Sequence, residues 1–537
     1  MRTPLALTAL AVWWTLPVLS SIAAQPDSRL SIRDFGAQPG GKTLCTAAMQ
    51  AAIDACAGRG GGTVGFPPGT WLCGTLVLKS KVALELDSGC TLLGSPDLRD
   101  YPPHVPKVRS YTDNYATQSL LVGEDLEGVV IRGNGTIDGN GAAFTSRTYR
   151  DRPYLIRLFR CRDVRVEGLR LQNSGMWMQH YMACDRVTVR GLTVWNHVNR
   201  NNDGIDIDGC HDVHISGCTI DSDDDALCLK STFDRKCENV TISDCVLSSH
   251  CNALKMGTES HGGFRNIVVN NCTIASSKAE KAIFGSRRGS SGISLEIVDG
   301  GEMEGVLINN VAVRGVEAPL FVRLGNRARK FSPDAPVPGV GTLRDVVLSN
   351  ITATGAGKTG SSITGVPGHP VEGVSLIDVK LRYEGGGARD DAARPIAEKE
   401  SAYPECTMFG VLPSYGLYCR HVRALKLTRV QCETTSPDLR HAVVAEDVQD
   451  LAIDGLDAQF SPGGAQPLRL TQTRGVLIRG CRPSVHGAAF LLLQGGSTAD
   501  IALVGNDFRR VAKVAELADQ VSREALSVSD SVSPRAK

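Results

Sequence analysis

Neither sign of charge dominates this sequence: 58 Lys and Arg face 57 Asp and Glu, leaving a net charge of +1. Such a balance supplies no field to gather nucleic acid or to hold the chain on an anionic membrane, so neither partner is expected. Long apolar runs are missing after the N-terminus. The run from Leu5 to Leu19 falls short of the roughly 20 residues that a bilayer span needs. It follows Arg2 and precedes Ser21-Ile-Ala-Ala24, small residues of the kind a signal peptidase accepts. Residues 1–24 are therefore expected to be a removable signal peptide, and the protein secreted or periplasmic. An uncleaved anchor is the competing reading.

Metal and phosphate signatures are absent as well. No Cys-x-x-Cys pair stands near a His pair, the spacing by which a zinc site is usually recognised. The glycines of Arg59-Gly-Gly-Gly-Thr-Val-Gly-Phe-Pro-Pro-Gly69 lack Gly-Lys-Ser/Thr and come after a helix signal, so they read as a tight turn into a first strand and not as a phosphate loop. No metal and no cofactor is expected. Nor does a Pro/Ser-rich linker divide the 537 residues, although that length would allow about three or four domains of ~150 residues.

What the chain has instead is a repeat. Two alternating apolar residues, then Gly, Asn or Asp, then another alternating pair recur as Val164-Arg-Val-Glu-Gly-Leu-Arg-Leu171, Val187-Thr-Val-Arg-Gly-Leu-Thr-Val194, Val213-His-Ile-Ser-Gly-Cys-Thr-Ile220 and Val240-Thr-Ile-Ser-Asp-Cys-Val-Leu247. The pattern continues at Ile267, Val306 and Val346, and more loosely at Val374, Leu451, Val476 and Ile501, with early steps of 23, 26, 27 and 27 residues. Period-two alternation means strand, and a unit this short buries no core by itself. The units must stack as coils of a solenoid. The expected fold is all-β, a single-stranded right-handed parallel β-helix with strands from about residue 75 to 510.

Cysteines obey the same period. Cys218, Cys245 and Cys272 recur at 27, and Cys184, Cys210 and Cys237 at 26 and 27, which reads as two ladders of small side chains turned into the coils. The total of 17 is odd, so one thiol at least is unpaired in an isolated chain; mostly free thiols are expected over disulfides. Thr43 to Gly58 reads as a helix with Ala48, Ala51, Ala52 and Ala55 on one side, placed to cap the first coil. The expected organisation is residues 25–74 as cap and first strand, 75–515 as the β-helix, and 516–537 as a frayed polar tail. A monomer is expected.

Acidic residues crowd one place in this otherwise balanced chain. Asn201-Asn-Asp-Gly-Ile-Asp-Ile-Asp208 and Asp221-Ser-Asp-Asp-Asp-Ala-Leu-Cys-Leu-Lys230 fall on adjacent coils. With Ile205, Ile207, Leu227 and Leu229 pointing inward, Asp206, Asp208, Cys228 and Lys230 point out, and Asp203 meets Asp224 and Asp225 at the strand entries. Carboxyls so crowded cannot all ionise; one is kept as an acid while its neighbours stay bases. On spacing alone, a solvated face or a Ca2+ site competes with catalysis.

At these residues the chain resembles the polygalacturonase family of glycoside hydrolases, inverting enzymes on the pectin-lyase-like β-helix. The family carries Asn-Thr-Asp, Asp-Asp twenty-one residues after the first Asp, Gly-His-Gly and Arg-Ile-Lys. Asn201-Asn202-Asp203 is similar with Asn for Thr, and Asp224-Asp225 follows at the same step. The resemblance implies Asp224 as general acid, with Asp203 and Asp225 holding the attacking water, and acid and base carboxyls about 6.5–9.5 Å apart. Gly133-Asn-Gly-Thr-Ile-Asp-Gly-Asn-Gly141 and Asn173-Ser-Gly-Met-Trp-Met-Gln-His180 extend the likeness to roughly residues 30–330. Asn201 and Lys230 join the implied substrate-binding set. Trp177 and His180 are candidates to face a sugar, against the reading of a buried Trp that stabilises its coil.

Two motifs depart from the family. Asn252 stands at the histidine position, with His250 two residues away, and Ser294 and Glu296 replace the Arg and Lys that would hold a galacturonate carboxylate. A Glu there is expected to repel that carboxylate. Lys255, Lys230, Arg287 or Arg288 are possible substitutes for the clamp. The leading reading is an inverting hydrolase of a pectin-type polysaccharide, with rhamnogalacturonan or another decorated glycan ahead of plain homogalacturonan. A β-elimination lyase on the same fold and a non-catalytic glycan-binding β-helix are the alternatives.

Overall fold

The computed structural model describes residues 29–483 and 486–533; the segment read as a signal peptide lies outside them. Every strand pairing between coils is parallel, and a typical coil contributes three strands. Gln179–Met182, Asp185–Arg190 and Thr193–Asn196 are followed one level up by Ile205–Asp208, His211–Ser216 and Thr219–Ser222, then by Leu227–Ser231, Cys237–Ser243 and Val246–Ser249. From Gly263–Ser276 onward the second and third strands often run together, as in Glu302–Arg314 and Thr342–Ala356.

The apolar repeat is the register of this stack. Val164, Val187, Val213, Val240, Ile267, Val306, Val346 and Val374 pair in succession, and Leu425, Leu451, Val476, Ile501 and Leu526 do the same above them. All but the half-buried Leu526, which packs against it, are buried in one core that runs from Ile32 to Ala525 without a break near residue 330. The turn after each such strand uses the left-handed backbone: φ is +63° at Gly191, +62° at Gly217, +57° at Asp244 and +56° at Asn271. That conformation is open to Gly and tolerated by Asn and Asp, which is why those residues punctuate the repeat. The coil at Leu425 lacks the signal because Arg429 occupies its turn, with φ +50°.

Both ends differ from expectation. Arg29–Ser31 pairs with Gly62–Phe66 below the first full coil, and Leu526–Ser529 pairs with Ala499–Val504 inside the segment read as a frayed tail. Apolar alternation there is short, two residues on either side of polar ones, but pairing with a preformed edge suffices. The capping helix α1 spans Thr46–Gly58 and buries Met49, Ala52, Ile53 and Cys56; Ala51 is exposed and Ala48 and Ala55 are half-buried. Met and Ile carry more apolar area than Ala, so they set the buried face. All 17 cysteines are buried free thiols, in line with the two ladders. Among the described residues no helix is long and apolar enough to cross a membrane.

Candidate active site

The strands Gln179–Met182, Ile205–Asp208, Leu227–Ser231, Leu254–Ser260 and Ser291–Ile297 lie side by side on one face. Ile205, Ile207, Leu227, Leu229, Leu254 and Met256 turn into the core. The alternate positions form outward columns, of which one reads His180, Asp206, Cys228, Lys255, Ser294 and Phe321.

Asp203 and Asp224-Asp225 occupy the turns that enter two of these strands. Asn202 builds the first turn: its Nδ2 donates to the Ser174 and Met176 carbonyls at 3.1 Å each, and its Oδ1 accepts from the Val198 N–H at 2.9 Å. Asn201 Oδ1 accepts from Arg152 Nη2 at 2.9 Å. In the second turn Ser249 Oγ donates to the Asp224 carbonyl at 2.6 Å, and Gly204 N–H donates to the Asp225 carbonyl at 2.9 Å. Carboxylate oxygens of Asp203, Asp224 and Asp225 thereby lie within 4.8 Å of one another. Asp224 is the most accessible of the three, at 8% against 2% and 3%.

Such crowding raises proton affinity. Burial first, then the Asp206 and Asp224 charges, hold the Asp203 carboxyl well above its ordinary value. Burial and then Asp225 push Asp224 up to about 7, and burial takes Asp206 to about 8. The cluster titrates as a unit, carrying at least one proton near neutral pH. Asp225 is paired with Lys255 Nζ at 3.1 Å and accepts from Asn252 Nδ2 at 2.9 Å. Asn252 therefore does reach the cluster, while His250 is fully buried against Asp223.

The two lysines stand at outward positions and meet the carboxylates of the site. Lys230 Nζ stands 3.3 Å from Asp206, 3.6 Å from Asp203 and 3.8 Å from Glu259, over the Trp177 ring at 4.4 Å. Burial works against its ammonium, yet Cys228, Asp206, Asp203 and Glu259 hold its pKa well above the lysine range. Trp177 is buried among Tyr115, Tyr154 and His180, so it positions Lys230 and offers no face to a sugar. His180 is likewise sealed: Nδ1 accepts from Arg157 Nε at 3.2 Å and Nε2 donates to Asp208 at 2.9 Å. Burial lowers its pKa to about 4, so it is a neutral strut.

The clamp positions are also unlike their expectation. Glu296 is fully buried, accepts from Ser294 Oγ at 2.6 Å, and is pushed to about 8 by burial. Below that pH it is uncharged, so it has no charge with which to repel a carboxylate. Arg288 is tied to Glu384, Glu317 and the Gly355 carbonyl, and Arg287 is exposed. Lys255, by contrast, shares the outward column of Ser294 one coil below, which moves a cation one level down.

Several site residues went unnoticed in the sequence. Glu259 pairs with Arg329 at 2.8 Å, and Arg327 Nε donates to Asp299 at 3.0 Å; Arg327 Nη1 is buried without a partner. The half-exposed Tyr403 ring lies 5.9 Å from Lys255 Nζ and 5.6 Å from Arg327. Tyr403 belongs to residues 384–413, which join Tyr383 to Ser414 and reach back over three coils. A connection that long inside a compact solenoid is a signal by which the sequence reading could have found them.

Comparison with known proteins decides the family: residues 69–400, more than half of the chain, match the family described as Glycosyl hydrolases family 28. The chain belongs to that family. Its match extends past the roughly 330 residues where the resemblance by motif stopped. A grapevine (Vitis vinifera) protein described as "Probable polygalacturonase" is 35% identical over 219 residues, 38% of this chain and 44% of that one; the chain thus spans less than half of that relative. A Zea mays exopolygalacturonase is 24% identical over 68% of this chain and 86% of its own length. The Yersinia enterocolitica family 28 exopolygalacturonase structure shares the fold, with TM-score 0.63, 19% identity and coverage of 80% of this chain and 79% of that one.

The carboxyl spacing differs from the wide separation expected for an inverting site. Oxygens within 4.8 Å are close for that class by the general rule. One water bonded to two carboxylates at ~2.8 Å from each spans such a gap, so the compact trio leaves room for a water between Asp203 and Asp225.

Proposed function

We propose that this family 28 protein hydrolyses a pectin-type polysaccharide with inversion. The observation that carries the reading is the buried trio Asp203, Asp224 and Asp225, with Asp224 both the most accessible and pushed to about 7. Protonated Asp224 gives its proton to the glycosidic oxygen as the C–O bond breaks. Water held by Asp203 and Asp225 adds to the anomeric carbon from the opposite face and leaves its proton on that pair. Lys255 and Asn252 keep Asp225 in place for this task. Proton NMR of the first product tests the stereochemistry: the anomer opposite to the substrate linkage is expected, and retention overturns the mechanism. Ultraviolet absorbance of an unsaturated product would instead reveal a lyase.

The substrate reading is finer. An uncharged Ser294 and Glu296 at the clamp, beside Lys255 and Arg327 under Tyr403, suit a backbone in which a neutral sugar alternates with a uronate. Rhamnogalacturonan has that alternation. Turnover on rhamnogalacturonan fragments should exceed that on homogalacturonan at equal concentration; a clear preference for homogalacturonan sinks this choice while leaving hydrolysis intact. The same proposal places the protein outside the cytoplasm as a monomer, checked by N-terminal sequencing after export and by its mass in solution.

A further inference from the structure

A second cluster of ligand-type side chains stands apart from the aspartate trio. His197, Asp223 and His250 follow one another at 26 and 27 residues, the coil period. Asn196, Ser222 and Ser249, the residues just before them, pair in register, so the three form one column at the strand exits. A ring nitrogen of each His and a carboxylate oxygen of Asp223 lie within 4.8 Å of one another. His250 and Asp223 are fully buried and the His197 side chain is 5% exposed.

Their hydrogen bonds dictate where the protons are. His197 Nε2 meets Asp221 Oδ1 at 3.0 Å, and a carboxylate accepts, so Nε2 carries the hydrogen. In the neutral ring Nδ1 is then a bare lone pair, and this nitrogen is buried without a partner. His250 Nε2 faces the Ala279 carbonyl at 3.2 Å and must donate to it. Its Nδ1 then confronts Asp223 Oδ1 at 3.1 Å, lone pair against lone pair, unless positive charge lies between. Protonating His250 would settle that contact but leave His197 Nδ1 orphaned, a cost for a buried polar atom. One cation between the three answers both problems.

We propose that His197, Asp223 and His250 form a zinc-type divalent cation site that pins residues 277–290 to the coils. Two imidazoles and a carboxylate suit Zn2+ over Ca2+ or Mg2+, with water in the fourth place. Ligand atoms at ~2.1 Å from a tetrahedral centre lie ~3.4 Å apart, close to the spacing already held by His250 and Asp223. The outer shell matches too: each His donates its remote N–H to a carboxylate or carbonyl, as metal-bound imidazoles do. Asp223 is fixed by the N–H groups of Ile283 and Phe284 at 2.7 and 2.8 Å, and Asp221 by the Lys278 N–H and the Ser277 hydroxyl. Cation and segment are therefore linked through the same carboxylates. Cysteine spacing could not reveal such a site, whose ligands are a coil apart.

The test is metal content of the untagged full chain, stripped with chelator, incubated with Zn2+ and freed of excess. One Zn2+ per chain is expected, and Co2+ in its place should give the intense visible absorption of a four-coordinate centre. His197→Gln keeps a donor for Asp221 but removes the ligand nitrogen, and should lose the metal while circular dichroism stays unchanged. Asp203→Asn, in the other carboxylate cluster, should retain it. Wild-type protein that takes up no Zn2+ overturns the proposal. So does metal lost with Asp203→Asn but kept with His197→Gln.

Discussion

Glu296→Gln exchanges a fully buried carboxyl for an uncharged side chain of nearly the same shape. In the folded protein the carboxyl titrates at about 8 against an ordinary 4.5. A folded-state pKa raised this far means that the proton supports the fold: the contribution is complete below about 4.5 and is lost as pH climbs through about 8. The difference corresponds to about 5 kcal/mol at most. Wild type and variant should be nearly equal in stability at pH 5, where both side chains are neutral. At pH 9 the variant should be the more stable, by up to about 4–5 °C in Tm for a chain of this size. Asp206 and Asp224 titrate in both proteins and drop out of the comparison. Melting curves of the pair across pH 5–9 provide the assay. Parallel profiles, or a wild type that outlasts the variant at pH 9, would show that Glu296 is ionised in the fold and would restore the repulsion argument against a uronate.

Other substitutions probe separate links. Asp224→Asn keeps shape but removes the proton donor, so cleavage measured by reducing ends should fall by at least ~10² with the fold intact. Near-normal turnover would remove its role. Lys255→Met leaves Asp225 without its cation at 3.1 Å; a destabilisation of about 3–5 kcal/mol and a pH optimum displaced upward are expected, read from urea midpoints and a pH–rate profile. At Gly217, with φ +62° and open space where a Cβ would go, Gly→Val should cost about 1–2 kcal/mol and Gly→Asn clearly less. Equal losses would mean that side-chain fit, not backbone, governs that turn.

The coils were legible because two independent demands coincide in each of them. Val187, Val213 and Val240 must alternate to fill the interior, and Gly191, Gly217 and Asp244 must accept a left-handed turn. Where one demand is met by an unusual residue, as with Arg429, the coil at Leu425 disappears from view. The trio was legible because Asp203 and Asp225 stand at equivalent entries of consecutive coils, in step with Ile205 and Leu227, and because its spacing resembles the family motif. Period-two reasoning fails at Trp177 and His180 in an instructive way. His180 does point out of the coil, but Thr112 and the Ala116 carbonyl, with Arg157 bonded to both, cover it. Outward is not exposed when a connecting segment folds over the face. Arg327 and Tyr403 come from such segments, whose lengths follow no period, and only the fold brings them to Lys255.

The thiol columns carry a consequence for handling the protein. Cys184, Cys210 and Cys237 are one coil apart, as are Cys218, Cys245 and Cys272, all reduced and all dry. Adjacent coils hold them about 4.8 Å apart along the stack, close enough for neighbouring thiols to hydrogen-bond, as Cys245 does with Cys218 and with Cys272. The solenoid itself is thus the antioxidant: while it is wound, its thiols are buried and oxidants in solution do not reach them. Once it unwinds, seventeen thiols become reactive together and can pair in ways that no coil accommodates. Heat inactivation in air should then be permanent, and recovery after denaturation should depend on a reductant being present from the first moment of unfolding.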